Sequence, residues 1–314
     1  MKLKDWFAFI TLGSIWGSSF LWIKIAVQEI DPLILVALRL FIGAIGLGAI
    51  VFYSRPSFPR SQKIWLGLFF LGFINTGIPY LLISWGELYI DSAIAAILNS
   101  TTPLFTMLIA TMFLSDDKLN GLRLVGLILG FVGIIILVGR DFPQIDLEKI
   151  IQIENTSKYQ AMDLLVKSPD HLPIALWGQI AVLTASLFYG ISSVFARRTT
   201  QGLSPIVIGL VPLLGVDASL WLIAGLGPYN SLLPSLPITW LAVIWLGLMG
   251  TAVSFILYYY LIHSIGPTRT TLVTYVFPLV GVILGVVILD EMLDWRMIAG
   301  GALIVSSIAV VNKK

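Results

Sequence analysis

Residues 71–82 read LGFINTGIPYLL and residues 246–257 read LGLMGTAVSFIL. In register they place Thr76 on Thr251, each in the middle of a long apolar run. The match extends in both directions. Downstream, PLFTMLIATMFLSDD (103–117) falls on PLVGVILGVVILDEM (278–292), setting Pro103 on Pro278 and Asp116 on Glu291, with Gly126 and Gly301 each ten residues beyond those acids. Upstream, Trp16-Gly17 with Ser18, Ser19 and Phe20 is echoed by Tyr189-Gly190 with Ser192, Ser193 and Phe195. Gly17 precedes Pro103 by 86 residues, and Gly190 precedes Pro278 by 88. Anchors held in register over that distance mark an internal duplication rather than one chance motif.

Composition says what is duplicated. Of 314 residues, 58% are hydrophobic and 11% charged, against about 45–50% and about 25% in soluble domains. Crossing a bilayer takes about 20 mostly apolar residues per helix. The chain has such runs at 6–27, 32–52, 64–84, 93–113, 121–138, 174–195, 205–226, 238–262, 270–289 and 295–311. Short polar breaks such as SDDKLNG, RRTTQGLSP and GPYNSLLPSLP separate them, and nothing alternates in the manner of membrane strands. The expectation is an all-α integral membrane protein of ten transmembrane helices. Five runs per copy is an odd number, so the second copy must enter the membrane from the opposite face. Two inverted five-helix repeats follow, over 1–139 and 174–314, the architecture of carriers that open one central site to each side in turn.

Residues 140–173 form the one long connection. Within it DLEKIIQIE and YQAMDLLVK carry apolar residues at helical spacing, which predicts short amphipathic helices on the outer membrane surface; a lid or docking element is the alternative. The first run, Trp6 to about Val27, exceeds the ~7–15 apolar residues of a cleaved signal and is read as a retained helix. Basic residues set the orientation. With a cytoplasmic N-terminus, Lys2, Lys4, Arg55, Arg60, Lys63, Lys118, Arg123, Arg197, Arg198, Arg269, Lys313 and Lys314 fall inside. Only Arg140, Lys149, Lys158, Lys167 and Arg296 fall outside, so both termini are expected in the cytoplasm.

Several chemistries are excluded. There is no cysteine, so thiolate metal sites, disulfides and Cys nucleophiles are absent, and two histidines far apart suggest no metal site. A net charge of +2 without a basic run suggests no nucleic-acid partner. No GxxxxGK[ST] phosphate loop occurs, so ATP does not drive the protein directly, and no cofactor is expected.

The candidate site comes from polar residues at mid-membrane depth, which must face the protein interior or a wet cavity. These are Trp16 and Ser19 in the first run, Asn75, Thr76 and Tyr80 in the third, and Asn99 and Thr102 in the fourth. Their counterparts are Tyr189, Thr251, Ser254, Tyr258 and Tyr275. Helix packing is the competing use for each. Pro103 and Pro278 each free a carbonyl one turn back and mark bending points. Intramembrane charges are functional candidates by default. Arg39, seven residues into the second run, can anchor a carboxylate or phosphate, with Lys24 and Glu87 approaching the same level; an Arg39–Glu87 ion pair is the structural alternative. Asp217, alone in the seventh run, is the candidate for proton coupling. Glycine pairs four apart, such as Gly13/Gly17 and Gly281/Gly285, suit close helix packing, internally or in a homodimer.

The WGSSF start, the arginine after Pro32, the proline-then-acid pair in each half and ten helices resemble the EamA family of the drug/metabolite transporter superfamily. The resemblance covers the chain apart from 140–173, which is longer than usual there. It implies a solute carrier, most often an exporter of amino acids or other small metabolites. The inner or plasma membrane is expected because no transit peptide is read in the sequence. Exchange of a phosphorylated sugar or nucleotide-sugar is the alternative, weakened because only Lys24 and Arg39 are intramembrane cations. A membrane-embedded transferase would need clustered His, Asp or Glu at one membrane face. The outer face offers Glu29, Asp31, Glu87, Asp91, Asp290, Glu291 and Asp294, but no histidine among them and no recognisable motif.

Overall fold

A computed structural model of the protein describes residues 2–113, 120–139, 174–228, 233–265 and 270–311. The expected loop at 140–173 and Asp116 lie outside the described residues. The helices are α1 (Leu3–Ala26), α2 (Pro32–Ser54), α3 (Gln62–Gly86), α4 (Ser92–Phe113), α5 (Gly121–Val138), α6 (Ile174–Thr199), α7 (Pro205–Leu226), α8 (Pro237–Tyr258, running on helically to Ile265), α9 (Leu272–Leu289) and α10 (Trp295–Val311). The first nine are long and apolar enough to cross a membrane, and α10 is a shorter apolar helix. The described residues contain no strand. This is a multi-pass membrane protein.

Local signals fix the helix ends. Asp31 accepts from the Leu33 N–H (2.8 Å) with Pro32 in the first turn of α2, and Asn120 accepts from the Arg123 N–H (2.8 Å) to open α5. α1 begins three residues before the apolar run at Trp6. Asp5 makes that possible, because its carboxylate accepts from the Lys2 N–H (2.8 Å), the Tyr260 hydroxyl (2.9 Å) and the Ser264 hydroxyl (2.6 Å).

Helix pairing displays the duplication. α1 packs on α9 and α6 on α4; α2 packs on α8 and α7 on α3; α2 meets α7 and α5 meets α10. Exchanging the two halves maps this set of contacts onto itself. The contacts agree at the level of atoms. A Cβ on Gly17 would lie 2.7 Å from the Val280 Cβ, and one on Gly190 would lie 2.9 Å from the Thr106 N and 3.0 Å from the Phe105 carbonyl carbon. Val280 and Phe105 occupy equivalent positions, two residues after Pro278 and Pro103. These glycines let backbones approach where any side chain would hold them apart.

The helices depart from regular α geometry at matched places. α3 widens to a π-helix over Phe73–Gly77 and α8 over Trp245–Val253, so that the Ile78 N–H reaches Phe73 O and the Ser254 N–H reaches Met249 O, each five residues back. α4 breaks at Ser100–Thr101, just before Pro103, and α9 opens with a 3₁₀ turn over Thr271–Tyr275, just before Pro278. Each irregular turn thus falls just before one of the two prolines marked as bending points. The π segments were not foreseen, since no residue type signals them.

Outside the spanning segments, Glu29 ties the α1–α2 connection to the start of α8. Its carboxylate accepts from the Ser235 hydroxyl (2.6 Å), the Leu236 N–H (3.0 Å), the Ser235 N–H and the Thr239 hydroxyl. The Ser235 and Thr239 hydroxyls, with backbone N–H groups behind them, hold its pKa down from 4.5 to about 2. A depressed carboxylate pKa contributes stability that is complete above about 4.5 and is lost as pH falls towards 2. Glu29→Gln should therefore lower the thermal midpoint of the purified protein at neutral pH and flatten its decline across that acid window. An acid profile identical to wild type would show that the clamp contributes nothing.

The α5–α10 contact offers a packing test. A Cβ on Gly133 would lie 2.8 Å from Gly300 O and 2.9 Å from the Ile304 Cγ1, whereas one on Gly67 meets nothing within 4 Å. Gly133→Leu should cost about 1–3 kcal/mol in denaturant unfolding. Gly67→Ala should be neutral or stabilising by up to about 1 kcal/mol.

Candidate functional site

α2 carries Arg39 about 10 Å along its axis from Pro32, by the ~1.5 Å rise per residue. Its side chain is 5% exposed. The guanidinium lies over the Tyr80 ring of α3, 3.9 Å from ring centroid to Cζ. Its Nε donates to the Thr251 Oγ1 of α8 at 3.5 Å, the long limit of a hydrogen bond. A Cβ on Gly250 would stand 3.6 Å from the Arg39 Nη2 and 3.3 Å from the Ser19 Oγ, so this glycine leaves open the space between α1, α2 and α8. Tyr189 of α6 lies within electrostatic reach of both Arg39 and Tyr80. Five helices thus converge on one cation.

That cation is under-coordinated. A guanidinium has five N–H donors, and among the described residues Arg39 uses one of them, weakly. The Arg39–Glu87 pair weighed from the sequence does not form: both Glu87 carboxylate oxygens and the Asp217 Oδ1 lack any hydrogen-bond partner. Lys24 joins no central anchor either. Its ammonium donates to the carbonyls of Glu87 (2.6 Å) and Ile90 (2.8 Å), closing the end of α3.

The other residues singled out divide by what they touch. Trp16 packs on Tyr258 and Phe277, with ring centroids 5.7 Å away in each case, in an aromatic layer about one turn along α1 from Ser19. Asn75 accepts from the Ser192 hydroxyl (2.8 Å), joining α3 to α6. Asn99 takes a long contact from Ser186 (3.4 Å), at the break in α4. Thr76 is buried on α3, and Tyr275 is half-buried beside the α9 turn. Ser19, Thr102 and Ser254 donate to carbonyls of their own helices, Ile15, Asn99 and Gly250, so only their lone pairs are left for another group. Asp217, buried on α7, has the Trp221 indole as its described polar partner and stands apart from the Arg39 cluster.

The site is symmetric in packing and asymmetric in chemistry. A Cβ on Gly247 would meet Arg39 O at 3.0 Å, and one on its counterpart Gly72 would meet Pro212 O at 2.5 Å. Proline therefore stands in α7 where α2 has its arginine. Likewise Asn75 faces Ser192 where the other half sets Gly250 beside Ser19. The duplication located both halves of the centre in the sequence and Arg39 marked the charged half, but only the contacts show that Pro212 is its counterpart at the centre.

Comparison with known proteins agrees with this architecture. The EamA-like transporter family matches residues 4–139 and, separately, 176–313. An uncharacterized transporter of Bacillus subtilis, YoaV, is 25% identical over 306 residues, covering 96% of this chain and 94% of its own. The Escherichia coli protein named uncharacterized inner membrane transporter YedA is 27% identical over 280 residues, 88% of this chain and 80% of its own. A Salmonella typhimurium protein named a probable amino-acid metabolite efflux pump is 22% identical over 318 residues, 99% of this chain and 95% of its own. A solved crystal structure superimposes with a TM-score of 0.65 at 18% identity, covering 99% of this chain and 98% of that one, a likeness of fold.

The stacking of Arg39 on Tyr80 is measurable by itself. A double-mutant cycle of Arg39→Met with Tyr80→Leu should give a coupling of about 1–2 kcal/mol in unfolding free energy, the range of a desolvated cation–π contact. Tyr80→Phe should keep most of it. Coupling within error of zero would mean that the ring serves only to fill space.

Proposed function

This chain belongs to the EamA-like transporter family, of the drug/metabolite transporter type, and from that membership we propose that it is a secondary carrier exporting small organic solutes that bear an anionic group. Amino acids or related metabolites are the class, and alternating access of the two repeats is the mode. The observation that carries this reading is the Arg39 guanidinium, buried where five helices meet and hydrogen-bonded to no carboxylate among the described residues. An uncompensated intramembrane cation is costly and marks a functional site. A solute carboxylate supplies the missing partner through charge-assisted bonds.

Tyr80, Tyr189 and Thr251 position the group, while Trp16, Tyr258, Asn75 and Ser192 lie further along the same axis and wall the path. The paired breaks before Pro103 and Pro278 let each half bend at this level. Outward movement is favoured by the printed name of the Salmonella relative, and an inner-membrane location by that of the Escherichia coli relative. The distribution of basic residues puts both termini in the cytoplasm. Phosphorylated solutes are disfavoured, because Lys24 is committed to the end of α3 and leaves one central cation for two or more charges.

Counterflow in proteoliposomes tests the proposal. With a panel of radiolabelled amino acids and their methyl esters, the free acids should exchange saturably and the esters should not. Loss of a charged hydrogen bond is worth about 1.5–3 kcal/mol, roughly ten-fold or more in rate. Arg39→Ala should fall by at least that factor and Arg39→Lys should retain part of the activity. Unchanged exchange in Arg39→Ala, or equal transport of esters, would remove Arg39 from the site.

A further inference from the structure

The corner between α3 and α4 encloses a carboxylate with nothing to hold. Glu87 is the residue at which α3 ends, and its backbone is satisfied: the N–H donates to Ile83 O (2.9 Å) and the carbonyl accepts from Lys24. Its side chain has no exposure at all, and neither carboxylate oxygen has a hydrogen-bond partner among the described residues. Three charged groups act on it, Lys24 from α1, Glu291 from the turn between α9 and α10, and Arg39 from α2. Each is occupied elsewhere. Lys24 serves two carbonyls, Arg39 serves Thr251 and Tyr80, and the Glu291 carboxylate accepts from the N–H groups of Ser92 (2.7 Å) and Ala93 (2.9 Å), capping α4. α6, packed on this part of α3, carries the buried, uncharged Gln179.

Directly beside this corner lies a polar cleft of about 360 Å³, lined by Lys24, Gln28, Asp91, Asp290 and Glu291 among others. Lys24 and Glu291 therefore both wall the cleft and act on Glu87. A carboxylate stripped of water and of every hydrogen bond is unfavourable, and the field of Lys24 is opposed by that of Glu291. The neutral acid escapes that penalty. Water entering from the cleft past Lys24 and Glu291 would solvate the anion and take the proton. Arg39 and Glu87 act on each other electrostatically, so the charge on Glu87 alters the field at the site where the solute binds.

We propose that Glu87 is a proton-exchange site, carrying a proton while this corner is dry and passing it from its carboxyl oxygen to water that enters from the cleft lined by Lys24 and Glu291. The purpose of such a site rests on the carrier reading, because reciprocal linkage between Glu87 and Arg39 is what would couple proton and solute. Asp217, which neither lines the cleft nor is acted on by Arg39, serves as the control.

Infrared difference spectra of the purified protein in lipid, titrated over pH, test the assignment. Wild type should show the carbonyl stretch of a protonated carboxyl free of hydrogen bonds, fading as pH rises. The band should be lost entirely in Glu87→Gln and kept in Asp217→Asn. Its absence from wild type at every pH, or its survival in Glu87→Gln, would overturn the proposal. Should Glu87→Gln not fold, Glu87→Asp must shift the band, and an unshifted band overturns the assignment equally. Counterflow of labelled amino acids in the same samples separates the two ideas. Exchange without the band sinks the proton site alone, whereas the band without exchange leaves the proton site standing and sinks the carrier.

Discussion

The close passage of α1 over α9 and of α6 over α4, where Gly17 and Gly190 admit the partner backbone, is the contact on which the bundle is organised. In a membrane, apolar side chains gain little by leaving lipid for one another, so helices associate through close van der Waals packing at small residues. Each of these contacts joins a helix of one half to a helix of the other. The two repeats are thus laced together rather than set side by side. Because Val280 and Phe105 are equivalent, the same contact is made twice, and an approximate two-fold relation between the halves follows from it. The convergence of α1, α2, α3, α6 and α8 at mid-depth is a consequence of this lacing.

A symmetric scaffold does not require symmetric chemistry. Backbone packing at Gly72 against Pro212 repeats that at Gly247 against Arg39, yet one half presents a ring with no donor and the other a guanidinium. Duplication supplies two copies of every position facing the centre, and only one needs to bear charge for the centre to bind an anion. The second copy is then free to become Pro212 opposite Arg39 or Gly250 opposite Asn75, residues that make room rather than bear charge. Burial of one unpaired cation is tolerable in such a bundle, because the aromatic face of Tyr80 replaces part of the lost hydration.

Much of this was legible in the sequence because its signals are periodic or covalent. The spans at 121–138 and 205–226 coincide with α5 and α7, and the breaks before Pro103 and Pro278 fall where a missing N–H demands them. Depth along a helix also identified Arg39, since an intramembrane arginine is visible as such. Contacts between distant segments were not legible. That Lys24 closes the end of α3, that Glu291 caps α4, and that Glu87 is left without a partner depend on how helices from different repeats meet. The Arg39–Glu87 ion pair, the structural alternative weighed from the sequence, does not form for the same reason. Similar depth puts two charges at one level and says nothing about which faces of their helices turn towards each other.

The π-helical stretch of α8 shows how backbone register and site chemistry are joined. The Thr251 hydroxyl donates to Leu246 O, five residues back, at 3.0 Å, a bond that fits the wider helix in which it lies. With its proton committed there, the hydroxyl has only lone pairs to offer, and one of them faces the Arg39 Nε. An ordinary α-turn would put a carbonyl four residues back within the hydroxyl's reach and rotate the oxygen about the helix axis relative to α2. Widened turns recur at functional sites because they shift the register of the residues that follow without breaking the helix. Here the shift occurs in α3 and α8 together, the two helices that contribute Tyr80 and Thr251. The orientation of the Arg39 cation at the centre is therefore set from both repeats by the same local distortion.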